Sequence, residues 1–239
     1  MTPRLYHYER VGSTMDVLHQ LAEEGAEAGT IVVAGEQMDG RGSRGRSWHS
    51  PPGGLWLSSL FRPPAAGGIE VMSLRVGLAV ADALEPLLPL PVRVKWPNDL
   101  MVGERKVGGI LCEARWQGGA LGWVAVGVGV NVRNSVPHEL SDAAVSLAQV
   151  QPEITIDDAL VPIVGALRRI DLQGERLTPE ELDRFTQRDW LTGREIGAPV
   201  RGWVRGLGDD GALLVQMADR SEIPLRSGSV ELAAVSPHR

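Results

Sequence analysis

The sequence predicts an α+β fold: a mixed domain over residues 1–190, followed by a small β-barrel over 191–239. Two observations predict the first part. Apolar strand-like runs recur at 31–37, 55–60, 92–96 and 123–131. Separate segments repeat their apolar residues every three or four positions, as helices do. A third observation predicts the second part: after Gly193 only short strands and turns remain, over about 45 residues. With 239 residues, 43% of them hydrophobic, the chain can bury a core of that size.

Taken in order, Ser13 reads as a helix cap and Asp16 as a favourable first-turn charge. Val17, Leu18 and Leu21 form one apolar face, and Gly25 stops the run. Ile31–Gln37 is a strand, Pro51–Gly54 a turn and Leu55–Leu60 a second strand. A core helix is expected over Glu70–Leu88, with Val71, Leu74, Leu78, Ala81 and Leu84 on one face. Val92–Trp96 alternates and reads as a strand that turns at Pro97-Asn98-Asp99. A hairpin turning at Val102-Gly103-Glu104 returns through Lys106–Glu113, with Cys112 as a small core residue. Trp123–Asn131 is a further strand. Its Gly127 and Gly129 leave one face bare, which suits a bound ring system.

Residues 136–151 give no clear pattern. A helix capped by Asp157 or Asp158 is expected to run to about Asp171, carrying Leu160, Val164 and Leu167. Thr178-Pro179-Glu180-Glu181 combines cap, first-position proline and third-position glutamate, so a second helix starts there and ends near Trp190. Pro199–Val204, Ala212–Gln216 and Val230–Leu232 are the clearest later strands, with Gly208–Gly211 as a hairpin turn.

Net charge of −6 argues against a general nucleic-acid binder. A single cysteine fits a reducing compartment, and no apolar run is long enough for a membrane span, so a soluble cytoplasmic protein is expected. Against that acidic balance, Gly40–Trp48 packs three arginines and three glycines into one loop. Guanidinium forks and exposed N–H groups suit a carboxylate or phosphate, although a solvated loop tip has the same composition. Ser13 and Thr14 fit either a small polar ligand or plain capping. Asn98 and Asp99 fit a ligand contact or an Asx turn. Lys106 fits a ligand contact or an exposed strand edge. The five histidines have no metal-ligand spacing, and neither a Walker loop nor a nucleophile elbow occurs. What remains favours charge stabilisation and positioning over covalent catalysis.

Four segments in order resemble the biotin protein ligase family: Gly40-Arg-Gly-Ser-Arg-Gly-Arg-Ser-Trp48, Lys95-Trp-Pro-Asn-Asp99, Lys106-Val-Gly-Gly-Ile110 and Gly127-Val-Gly-Val-Asn131. The resemblance covers roughly residues 5–235. It implies a class II synthetase-like mixed-sheet catalytic domain with an SH3-like C-terminal barrel. It implies ATP-dependent formation of biotinyl-5′-AMP, then transfer of biotin to a lysine of a biotin carboxyl carrier domain. Lys106, Arg41 and Asp99 are the implied catalytic residues. Ser13, Thr14, Met15, Gln37, Gly40, Arg41, Gly42, Ser43, Lys106 and Gly109 are implied to hold biotin. Arg41, Arg44, Trp48, Asn98, Lys106 and Asn131 are implied to hold ATP and the adenylate, with Mg²⁺ on the phosphates and no metal ligand assigned.

Two departures stand out. Ser43 replaces a basic residue that helps members of the family retain the adenylate, so faster leakage is expected. Met15 stands where some members carry a polar residue, which leaves a backbone contact at most. The resemblance further implies a monomer or homodimer without membrane or nucleic-acid partner, and without the DNA-binding domain of regulatory members. A lipoate or octanoyl ligase or transferase of the same fold, and a non-catalytic biotin sensor, are the competing readings.

Overall fold

In the computed structural model, residues 4–63, 68–170 and 174–234 are described. Asp171, Val235 and His238, on which some sequence expectations fall, lie outside them. Strands β1 (Leu5–Val11), β2 (Ile31–Gln37), β3 (Leu55–Phe61), β4 (Val92–Lys95), β5 (Asp99–Val102), β6 (Arg105–Gln117) and β7 (Ala120–Val130) form one sheet. Their order is β1-β2-β3-β7-β6-β5-β4. β1 runs parallel to β2, and every other pair is antiparallel. A helix on each face buries the central strands on both sides. On β3, Leu57 and Phe61 face one layer while Leu60 faces the other.

The first layer is α1 (Thr14–Glu23), whose Met15, Leu18 and Ala22 pack on Val32, Leu60, Trp123 and Ala125. Ser13 caps it as expected, its hydroxyl accepting from the Met15 N–H at 3.3 Å. The buried stripe runs through Met15, Leu18 and Ala22, with Val17 and Leu21 at its margin. The opposite layer is α2 (Ile69–Leu84), α3 (Ile156–Leu167) and α4 (Pro179–Arg188). All five apolar residues expected inside α2 are buried. α2 ends at Leu84, with a 3-10 turn to Leu87 that contains Pro86, short of the expected Leu88.

Further boundaries differ from the sequence reading. Thr155, rather than Asp157 or Asp158, caps α3, and Asp158 completes a capping box with it. The helical turn also gives way after Leu167 rather than running to Asp171. Pro199–Val204 is not one strand: β8 (Glu195–Ala198) precedes it, residues 199–201 turn, and β9 (Gly202–Leu207) begins after the turn. Pro199 lacks the N–H a ladder needs, which places it in the turn. β10 (Leu213–Gln216), β11 (Glu222–Leu225) and β12 (Glu231–Leu232) complete an antiparallel sheet of order β11-β10-β9-β8-β12. Five antiparallel strands fit the expected barrel-like unit, although among the described residues the end strands β11 and β12 do not pair to close it.

That second sheet shares the main core. Ile196, Val204, Leu213, Val215 and Val230 belong to the same buried cluster as α2 and the central strands. The Trp96 indole N–H donates to the Gly211 carbonyl at 2.9 Å, seating the β9–β10 turn against the first domain.

Candidate active site

A cavity of about 410 Å³ opens where the N-terminus of α1, the 40–48 loop and the bare glycine faces of β6 and β7 meet. Ser13, Thr14, Met15 and Gln37 line one end. Thr14 donates to Gln37 Oε1 from both its N–H and its hydroxyl, at 2.9 Å each. With that hydroxyl proton committed, Ser58 Oγ, 2.8 Å from Thr14 Oγ1, must be the donor between them. The Gln37 amide donates to Ser50 Oγ at 2.8 Å, and Ser50 to the Trp48 carbonyl at 3.1 Å. The result is a fixed set of small donors and acceptors suited to a neutral polar group.

The other end is cationic. Arg41 and Lys106 line the same cavity, together with Gly42, Ser43, Trp48, Asn98 and Asp99. Lys106 Nζ lies 2.5 Å from Asp99 Oδ1 and 4.9 Å from the centre of the Trp48 ring. Trp48 lies across glycines: a Cβ at Gly129 would come 2.7 Å from its Nε1, and one at Gly109 would come 3.3 Å from its Cζ3. No side chain larger than hydrogen fits between the strand and this ring. Arg41 Nη1 donates to Asp16 at 2.5 Å, while its Nε lies 3.4 Å from Glu113 Oε1, near enough for charge attraction. Burial works against the Arg41 charge, but Asp16 and Glu113 outweigh it and raise its pKa. Arg41 Nε and Nη2 and Trp48 Nε1 are buried donors without a hydrogen-bond partner. Buried donors are nearly always satisfied; Nε at least faces Glu113 Oε1, which leaves Nη2 and the Trp48 indole as the donors open to a ligand acceptor.

Gly109 and Asn131 line the cavity as well, whereas Gly40 and Arg44 do not. Gly40 is buried beneath the loop, where a Cβ would strike the Trp48 carbonyl at 2.4 Å. Arg44 takes a left-handed backbone (φ 62°), and its Nη2 would be 3.6 Å from a Cβ at Gly228, in the β11–β12 connection. Lys95 stacks over Trp190 at 5.2 Å, outside the cavity, and burial lowers its pKa. Desolvation pushes the Cys112 thiol up to about 12, which removes it as a nucleophile.

Sequence reasoning missed several residues. Asp16 was read only as a helix charge, and Glu113 only as a strand end. Ser58, Asn134 and the 136–144 segment were not singled out. Asn134 donates to Asn131 Oδ1 at 3.1 Å and also lines the cavity. The segment reaches it because Lys106 and Val145 exchange backbone bonds with neighbouring residues: Lys106 N–H donates to Ala143 and Val145 N–H to Lys106.

Bare strand faces, a loop arginine and a strand lysine thus enclose one cavity on an α+β scaffold. The chain belongs to the biotin/lipoate A/B protein ligase family, whose family model matches residues 8–131. The bifunctional ligase/repressor BirA of Bacillus subtilis is 35% identical over 158 residues, covering 64% of this chain and 49% of that protein. The chain thus spans about half the length of that relative. The biotin–acetyl-CoA-carboxylase ligase of Mycobacterium tuberculosis is 30% identical over 230 residues, 90% of this chain and 84% of that one. The structure of biotin protein ligase from Aquifex aeolicus in complex with biotin and ATP matches with a TM-score of 0.79 and 27% identity. That match covers 97% of this chain and 99% of that one. Among the described residues no helix is long and apolar enough to cross a membrane.

Proposed function

We propose that the chain is an ATP-dependent biotin ligase, with the chemistry on residues 1–190 and the second sheet appended. The observation that carries the reading is that Arg41 and Lys106 share one cavity with the polar cluster of Ser13, Thr14 and Gln37. Two anions, a carboxylate and a triphosphate, must meet for acyl activation, and both cations lower that repulsion. The ureido head of biotin pairs with Ser13, Thr14 and Gln37, with Met15 beneath it. The tail runs past Gly109 and the 40–43 loop to place its carboxylate at Arg41 and Lys106. Trp48, Asn98 and Asn131 border the nucleotide, and Arg44 screens the phosphates from outside.

A carboxylate oxygen of biotin attacks the α-phosphorus, the bond to the β-phosphate oxygen breaks, and pyrophosphate leaves with biotinyl-5′-AMP formed. The ε-amine of a carrier-domain lysine then attacks the activated carbonyl, and AMP leaves. Asp99 accepts the amine's proton or orients it. The described residues hold no group of three or more His, Cys, Asp or Glu that would bind a metal alone. Mg²⁺, brought with ATP, would screen phosphate charge beside Arg41 and Lys106. The carboxylase in the name of the Mycobacterium tuberculosis relative supports the biotin carrier of a carboxylase as acceptor, and the reading takes the reaction to be cytoplasmic.

Biotin-dependent exchange of labelled pyrophosphate into ATP is the expected activity. Exchange driven by lipoate instead, or none with either acid, would overturn the reading. A Gly129→Ala variant is expected to weaken biotin and ATP binding by about tenfold, or ~1.4 kcal/mol, because the new methyl displaces the Trp48 ring. Unchanged affinities by calorimetry would remove Trp48 from the binding surface.

A further inference from the structure

We propose that His19 is a positioning residue for Arg41, acting through Glu113; its effect on catalysis rests on the ligase reading, but the arrangement itself does not. His19 lies one helical turn beyond Met15 on α1, beneath the cavity, and is 6% exposed. The indole N–H of Trp123 points at its Nδ1 at 2.9 Å. An indole nitrogen only donates, so Nδ1 must be the accepting nitrogen and the ring proton must sit on Nε2. That Nε2–H lies 3.0 Å from Glu113 Oε2 and donates to it. The His19 bond, then the Arg41 charge, hold the Glu113 carboxyl below the usual carboxylate range, against burial. Glu113 Oε1 is left to face Arg41 Nε at 3.4 Å.

Trp123 is fixed in turn. It is buried, and the Arg62 guanidinium stacks on its ring at 5.6 Å while donating to the carbonyls of Ala22 and Ala26 at the end of α1. A chain of one-way donors therefore runs from the sheet through His19 to the acidic side of Arg41. Asp16 holds Nη1 from the same helix. Nη1 is hydrogen-bonded to Asp16 and Nε is drawn to Glu113 by charge without a hydrogen bond, so Nη2, which has neither contact, is the nitrogen left for substrate. Neither Trp123 nor His19 lines the cavity.

Two substitutions separate this role from simple packing. His19→Gln keeps an N–H at the position of imidazole Nε2, whereas His19→Asn keeps only an acceptor near Trp123. In the pyrophosphate exchange, His19→Asn is expected to lose about tenfold in kcat/KM and His19→Gln to stay within about threefold of the parent. Both should unfold within a few degrees of each other. An equal loss in the two variants, or no loss in His19→Asn, would overturn the proposal. The ring itself gives a readout independent of activity. Its ¹⁵N shifts, assigned by their disappearance in His19→Gln, should show an unprotonated Nδ1 and a protonated Nε2; the reverse tautomer would sink the relay. Should the parent show no biotin-dependent exchange, the ligase reading falls while the nitrogen shifts still decide the relay.

Discussion

Replacing Lys106 with alanine is expected to lower biotin-dependent exchange by about a hundredfold or more, a loss of about 3 kcal/mol of transition-state stabilisation. The fold should be untouched. Lys106 is held in place through its backbone, by the β5–β6 ladder and the bonds with Ala143 and Val145, none of which involves the amine. Its Nζ has two neighbours, the Asp99 carboxylate and the face of Trp48. Removing it therefore acts twice. The cation that would meet the substrate carboxylate is lost, and the Asp99 charge is uncovered inside a cavity that must accept two anions. Asp99→Asn added to Lys106→Ala should accordingly recover part of the biotin affinity without recovering the exchange rate. Near-normal exchange in Lys106→Ala, measured beside an unchanged melting curve, would take this lysine out of the reaction.

Much of this arrangement is legible in the sequence because the signals are local. The Ser13 cap, strand 31–37, the α2 stripe and the Thr178–Glu181 helix start each depend on residues a few positions apart. Arg41 and Lys106 were legible because each sits in a short run, Gly40–Trp48 and Lys106–Ile110, that resembles the family's motifs. What was not legible depends on partners distant in sequence. Glu113 looks like any strand carboxylate until the sheet brings it under α1, 94 residues from His19. Asp16 looks like a dipole charge until the loop folds Arg41 over it. Arg44 shows the converse: its motif position suggested the cavity, but its left-handed backbone turns the side chain toward Gly228. The β8–β9 boundary was missed because Val200, Trp203 and Val204 carry strand propensity, although residues 199–201 form the turn between the two strands.

The largest expected loss of stability lies far from this cavity, at Arg75 in the middle of α2. Its side chain is 4% exposed, and among the described residues its hydrogen bonds cross to the chain before and inside α4. Nε donates to Glu181 at 2.8 Å, Nη1 to the Gly174 carbonyl at 3.0 Å and Nη2 to the Arg176 carbonyl at 2.7 Å. The same stretch bonds the second sheet through the Leu177 N–H and Asp209, so Arg75 ties α2, α4 and the β9–β10 turn together. Arg75→Met keeps the apolar stem but strands a carboxylate and two carbonyls. Glu181 retains the Thr178 N–H and some solvent, which places the cost at the low end for a broken buried pair, about 3 kcal/mol. For a chain of this length that corresponds to a fall in melting temperature of roughly 6–12 °C. Arg176→Ala removes an ion pair to Asp209 that is exposed on both sides, and should cost under about 1 kcal/mol. Because Arg75 does not line the cavity, exchange at 25 °C should survive in the folded fraction of Arg75→Met. A stability loss no greater than that of Arg176→Ala, measured by denaturant titration, would mean that the junction is held by its apolar contacts alone.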